Sequence, residues 1–328
     1  MYSQLYHEYL LKQALKRLPV LARELSQLIN IKRKGILLDV GGGGPVKSPW
    51  SFLVPDSISR IAFDPEENDI ENDGIRKTYD ICLSNQSENR EFHIDKNPRA
   101  SSLHQWNDEF LERFNRNYYQ TLRTIKVKCQ TGDDVLKDEH NIDFIDINAE
   151  GHDFHVLEGL VETLINKAIF VRVEYESFQV YKEKNTYGDI EKILADNGYE
   201  ILNIEMLEYG YDNCKLDRIQ VQRGVMLWGK LNAIISPDIL FKRIIDEDEE
   251  KALDMVFNYV IASFIAGAPS YSLRLIDKLN MASYTNIPYQ KIEELIFTCS
   301  RRDVKDAMIF PFIYLASPIV YFLKKITG

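Results

Sequence analysis

Residues 142–159, Ile-Asp-Phe-Ile-Asp-Ile-Asn-Ala-Glu-Gly-His-Asp-Phe-His-Val-Leu-Glu-Gly, constrain the fold more than any other stretch of the chain. Phe144, Ile145 and Ile147 read as a short buried strand, and the acidic turn at Glu150-Gly151 leads into a helix starting at His152. A strand feeding a helix in this way is the unit of an open α/β sheet, whose ligands gather at the carboxyl ends of the strands. Asn148, Glu150, His152 and Asp153 fall at such an end and are candidates for a working site. A capped strand-to-helix turn would use the same residue types.

A second strand end carries the signature of a nucleoside site. Ile36–Val40 is an apolar run closed by Gly41-Gly42-Gly43-Gly44, where missing Cβ atoms let backbone approach a ligand. The next strand, Arg60–Phe63, ends at Asp64, an acid spaced to accept hydrogen bonds from ribose hydroxyls. Asp39, Gly41, Gly42, Gly43, Asp64 and Asn148 are therefore the candidate cofactor-binding residues. A dinucleotide fingerprint needs a third glycine opening a helix onto a pyrophosphate. Val46 stands there instead, and Pro45 and Pro49 interrupt any long helix, which favours S-adenosylmethionine over NAD.

The stretch opening at Ile142 resembles the strand-four signature of FkbM-type S-adenosylmethionine-dependent methyltransferases. Ile142-Asp143-Phe144-Ile145, Glu150-Gly151, Val156-Leu157 and Gly159 stand at that family's offsets. Asp146 and Asn148 depart from its usual Lys and Asp. Upstream, Thr131–Leu136 is similar to the family's lead-in, and downstream Val173-Glu174, Tyr181, Asp189-Ile190 and Asn197-Gly198-Tyr199 follow its order. The resemblance spans roughly residues 35–229. It implies a doubly wound, mostly parallel Rossmann-like sheet that binds S-adenosylmethionine and methylates a hydroxyl oxygen of a sugar or glycan-like small molecule. It also implies an acceptor-side loop, within which Arg99, Ser101, Ser102 and His104 are candidates, with Glu174 at the end of the fifth strand.

For the chemistry, His152 is the first candidate general base, because histidine has the unperturbed pKa nearest neutrality. Glu150 or Asp153 would orient it or serve instead. No metal is expected, although Asp146, Asn148 and Glu174 are the set a magnesium-assisted variant would use. Two rivals stay open: an NAD-dependent sugar dehydrogenase or epimerase, which lacks its Tyr-x-x-x-Lys pair here, and a catalytically silent S-adenosylmethionine-binding protein.

The 328 residues divide into an N-terminal helical segment (1–34), the α/β domain (35–229) and a helical appendage (230–328). Pro19 suits the first turn of a helix carrying Leu21, Leu25 and Leu28. Residues 84–130 read as a long acceptor-covering loop. Strands at 201–204 and 222–228 form an antiparallel edge pair, and helices follow at 250–266, 270–281, 288–298 and 302–324. Residues 308–323 are apolar but, at sixteen, fall short of the ~20 a membrane span needs. They suit a contact between copies or peripheral docking at the inner face of a membrane. With 40 basic and 50 acidic side chains, net −10, nucleic acid is not an expected partner. Four scattered cysteines and no signal peptide lead us to expect a cytoplasmic protein.

Overall fold

Pro19 does start a helix. In this computed structural model, which describes residues 15–65, 74–183, 187–210, 225–284 and 287–300, α1 (Leu18–Leu28) buries Leu18, Leu21, Ala22 and Leu25 along one stripe. Residues 1–14 of the expected N-terminal helical segment lie outside the described residues. Three parallel strands follow: β1 (Gly35–Val40), β2 (Ile58–Phe63) and β3 (Ile75–Tyr79).

The next segment corrects the expectation of a loop. Residues 84–130 supply most of a second sheet, built from β4 (Cys82–Leu83), β5 (Glu88–Asp95) and β6 (Thr121–Gln130) in the order β4-β6-β5. The short helix α2 (Asp108–Arg113) crosses between β5 and β6, packing Phe110 into an aromatic cluster with Trp106, Phe114 and Tyr181. Antiparallel pairing between β5 and β6 satisfies the backbone that a loop would have left to water.

After the single-turn α3 (Gly132–Val135), β7 (Phe144–Ile147) enters the main sheet beside β1. Helices α4 (Asp153–Glu158) and α5 (Val161–Asn166) lead to β8 (Phe170–Glu176), and α6 (Tyr187–Asp196) leads to β9 (Tyr199–Gly210). β10 (Val225–Ile235) then runs antiparallel between β8 and β9. The seven-stranded order is β3-β2-β1-β7-β8-β10-β9. Chain progression reverses between β1 and β7, so their carboxyl ends flank the switch point where such sheets take ligands.

Helices α7 (Pro237–Ile245), α8 (Glu249–Ile265), α9 (Ser270–Met281) and α10 (Tyr289–Ser300) complete the described chain. They pack onto the sheet domain. β10 pairs with β8 as far as Ile234 and with β9 as far as Ile235, so a boundary at residue 229 falls inside a strand. α8 is buried on almost every side, and its side chains join one core with those of the sheet and α1. A Cβ on Gly35 would meet Asn258 Oδ1 of α8 and Phe144 Cε2, each at 2.8 Å. Arg33 ties the two together by gripping Asp143 at 2.7 and 2.9 Å and Asp254 of α8 at 2.6 Å. Losing Arg33 would leave two buried carboxylates without a counter-charge, the costly way to break an ion pair.

The short β1–β2 connection explains why a C-terminal helix is needed there. It holds only a 3-10 turn at Trp50–Phe52, with the Trp50 ring packed on Phe144 and Phe170 at 5.4 and 6.0 Å between centroids. Among the described residues no helix is long and apolar enough to cross a membrane. The apolar run 308–323 and the expected helix 302–324 lie outside them.

Candidate functional site

A cavity of about 770 Å³ opens at the switch point, between the carboxyl ends of β1, β2 and β7 and the inner face of the second sheet. Its size suits a small-molecule site. Of the residues singled out in the sequence, it brings together Gly41, Gly43, Asp64, Arg99, Ser101, Asn148, Glu150 and His152. Asp39, Gly42, Ser102, His104, Asp153 and Glu174 do not line it.

The glycine loop is shaped by two carboxylates and a buried arginine. Gly41, at φ +74°, passes so close to β7 that a Cβ would sit 2.1 Å from the Asn148 carbonyl oxygen. Gly43 N–H donates to Asp64 Oδ2 at 2.9 Å, which fixes the acid at the end of β2 beside the cavity. Gly42 faces inward, where a Cβ would meet the Asp39 carboxyl carbon at 2.7 Å. Asp39 in turn accepts from Arg60 Nη1 at 3.0 Å, and the same fully buried guanidinium donates to the carbonyls of Gly42 and Gly44. Asp39 thus braces the loop from below. Burial, reinforced by Asp146, raises its carboxyl to about 6.

β7 delivers the second half of the site. Past Ile147 the chain turns through Glu150 at φ +48° and Gly151 at φ +89°, and a Cβ on Gly151 would strike the Tyr181 ring at 2.4 Å. A glutamate in the left-handed region is held at a cost of roughly 1–3 kcal/mol, which the surroundings must over-determine. They do. Asp153 accepts the Ala149 and Gly151 N–H groups at 3.0 and 3.1 Å, Ser102 Oγ donates to the Glu150 carbonyl at 2.6 Å, and Tyr181 OH donates to Glu150 Oε2 at 3.1 Å. Asp153 is therefore a brace of the turn, with both oxygens taken and no face on the cavity. Burial first, then the Asp153 charge, raises the Glu150 carboxyl from 4.5 to about 7. Asn148 Nδ2 lies 3.5 Å from Glu150 Oε1, while its Oδ1 is buried without a partner among the described residues.

His152 lines the cavity with both ring nitrogens engaged. Nε2 meets Ser84 Oγ at 3.0 Å, and Nδ1 meets His104 Nε2 at 2.9 Å. His104 Nδ1 is 3.2 Å from Glu183 Oε2, at ion-pair distance but without hydrogen-bond geometry. Burial lowers both imidazoles, His152 to about 2 and His104 to about 4, so each is neutral near pH 7. The pair locks the β7 turn to the second sheet.

The remaining assignments follow from position. Ser101 Oγ accepts from Asp95 N–H at 3.1 Å, and Arg99 is exposed at the cavity rim. Glu174 lies within β8, beneath the Glu150 turn, with its pKa raised by burial and by Glu150 and Asp153. Asp146 Oδ2 accepts from Trp50 Nε1 at 2.5 Å and Arg172 at 3.4 Å, and Lys230 Nζ lies 3.8 Å from its Oδ1. Sequence reasoning passed over Tyr181, Arg60, Lys47 and Arg123. Tyr181 appeared there only as a family landmark, and its hydrogen bond to Glu150 spans 31 residues.

The geometry fits S-adenosylmethionine better than a dinucleotide. The 3-10 turn after the glycines offers no helix terminus for a pyrophosphate. Asp64 and the unpartnered Asn148 Oδ1 offer acceptors for the hydroxyl and ammonium groups of a nucleoside amino acid.

No curated protein matches the chain. Among solved structures it is similar to the magnesium protoporphyrin IX methyltransferase of Synechocystis PCC 6803 with bound SAM, at 12% identity and a TM-score of 0.29 over 68% of this chain and 81% of that one. The sequence model of the methyltransferase FkbM domain matches residues 46–201, from just after the glycine loop through β9's first residues. Over those residues the chain is similar to the methyltransferase FkbM domain.

Proposed function

We propose that the protein transfers a methyl group from S-adenosylmethionine to a hydroxyl oxygen of a sugar or glycan-like molecule, with Glu150 as general base. Asp64 and Asn148 would hold the cofactor, and Gly41 and Gly43 would let it approach the backbone. When bound, S-adenosylmethionine supplies an electrophilic methyl group on a sulfonium. The acceptor class rests on the family resemblance.

Glu150 carries the reading. A carboxyl raised to about 7 is a base matched to neutral pH, and it faces the cavity from a backbone held in place on every side. Tyr181 OH orients Oε2, and Oε1, whose one contact among the described residues is the long 3.5 Å approach of Asn148 Nδ2, would take the acceptor proton. His152 is a poorer base, since both nitrogens are occupied and its protonated form is strongly disfavoured. In-line transfer also gains from positioning, which the second sheet supplies by closing the cavity over the switch point.

The test has two arms. S-adenosylmethionine or S-adenosylhomocysteine, but not NAD, should raise the melting temperature. In an acceptor screen with methyl-labelled cofactor, Glu150→Gln should lose turnover while His152→Asn keeps more of it. A shift with NAD alone would overturn the cofactor assignment, and full turnover by Glu150→Gln would overturn the base.

A further inference from the structure

The cavity rim carries a charge pattern that the methyl transfer itself does not use. Lys47, Arg99 and Arg123 all line the cavity and are exposed there. Among the described residues none of the three side chains makes an ion pair or hydrogen bond. This is unusual in a chain of net charge −10; among the described residues the other charges on the cavity are Asp64 and Glu150.

Their placement separates them into two groups. Lys47 follows the glycine loop and acts on Glu150, lowering its pKa against the larger effect of burial. The zwitterionic amino-acid end of the cofactor brings one carboxylate, and Lys47 is the cation on that side. Arg123 belongs to β6 of the second sheet, and Arg99 to the turn that follows β5. Arg123 stands opposite Ile94 in the β5–β6 register, on the strand face whose Phe92 and Ile94 line the cavity. Arg99 lies in the 3-10 turn after β5, which Ser101 pins to Asp95. After the cofactor is accounted for, two guanidiniums remain on the acceptor side. Arginine presents a planar fork of donors that matches carboxylate, sulfate and phosphate oxygens in pairs.

Resting on the methyltransferase reading, we infer that the acceptor is anionic: a hydroxylated molecule whose carboxylate, sulfate or phosphate ester is held by Arg99 and Arg123. The anion fixes the ring so that one hydroxyl reaches Glu150, and neutral sugars are discriminated against.

The test uses the full chain saturated with S-adenosylhomocysteine at fixed ionic strength. Glucuronate, inorganic phosphate and glucose are titrated in the millimolar range and followed by ligand-observed NMR. Glucuronate or phosphate should bind at least about tenfold tighter than glucose, the scale expected of charge-assisted pairs. Preference for glucuronate alone assigns a carboxylate, and for phosphate alone a phosphate ester. Arg99→Gln/Arg123→Gln should abolish the preference and leave S-adenosylhomocysteine affinity unchanged, while Arg99→Lys/Arg123→Lys should keep part of it. Equal binding of anion and glucose, no anion binding, or a preference that survives the glutamine pair overturns the inference. Loss of S-adenosylhomocysteine affinity in that pair also overturns it, by assigning the arginines to the cofactor. Failure of the wild type to bind S-adenosylhomocysteine at all would instead strike the methyltransferase reading.

Discussion

Replacing Glu150 by Gln should make the protein more stable and less active, and the size of the first effect follows from the structure. Burial lifts this carboxyl from its ordinary 4.5 to about 7. Below pH 4.5 it is protonated in the folded and unfolded chain alike, and its ionisation affects stability little. As pH rises, the unfolded chain gives up the proton first, so folding is progressively opposed until the folded carboxyl ionises near 7. At about 1.4 kcal/mol per pH unit, that gap corresponds to a penalty of roughly 3 kcal/mol, fully present above pH 7. Glutamine keeps an oxygen for the Tyr181 hydroxyl. Its amide can donate to Asn148, whose buried Oδ1 has no partner and needs only a flip of the side chain to accept. Urea unfolding at about pH 8.5 should show Glu150→Gln more stable by up to about 3 kcal/mol, and at about pH 4.5 nearly equal to wild type. Turnover should fall by ~10²- to 10⁴-fold, and the wild-type rate should rise with pH to a plateau above 7. A variant that is less stable at pH 8.5 would refute the buried-charge argument. Unchanged turnover would refute the base.

Three further outcomes are expected. Asp64→Ala should weaken S-adenosylhomocysteine binding by roughly 1.5–3 kcal/mol in titration calorimetry, the range for a lost hydrogen bond to a charged group, and unchanged affinity would remove Asp64 from the site. Asp153→Asn should leave one of the Ala149 and Gly151 N–H groups unpaired at a cost of about 1–3 kcal/mol in unfolding free energy, and should lower turnover through Glu150. An asparagine variant as stable as wild type would show that Asp153 does not brace the turn. A chain ending at Lys230 should lose its cooperative melting transition, because it cuts β10 and removes α8 from the core; a truncated chain that still melts cooperatively with bound cofactor would restore residues 230–328 to the status of an appendage.

The strand ends at the switch point were legible because their signals are local. Apolar runs at 36–40 and 144–147 close on glycine or acid, and Asp64 stands where β2 stops. The inserted sheet was legible too, but passed over: Ile125, Val127 and Cys129 alternate with Lys126 and Lys128 along β6. The run expected as a helix over 250–266 is one, at Glu249–Ile265. Its apolar residues surround the axis rather than forming one stripe, which is the pattern of a core helix and speaks against a detachable one. The state of His152 was not legible. It depends on Ser84 and His104, 68 and 48 residues away, and sequence spacing carries no trace of those partners.

How acids are divided between the two sides of the switch point determines which one does chemistry. Asp39 and Asp146 face Arg60, Arg172 and Lys230, so their charge is matched within the fold. Behind the β7 turn, Glu150, Asp153, Glu174 and Glu176 share a buried region where, among the described residues, no arginine pairs any of them; burial raises all four, and neighbouring acids add to it for Glu150, Glu174 and Glu176. Glu174 and Glu176 are pushed up well above the usual carboxylate range, chiefly by burial, and neither lines the cavity. Asp153, at about 6, spends its oxygens on backbone N–H groups. Glu150 alone combines an elevated pKa with an opening to the cavity. Its neutral histidine neighbours add no positive charge that would hold it ionised at lower pH. A carboxyl placed this way releases and accepts protons around neutrality, as base-assisted transfer to a hydroxyl requires.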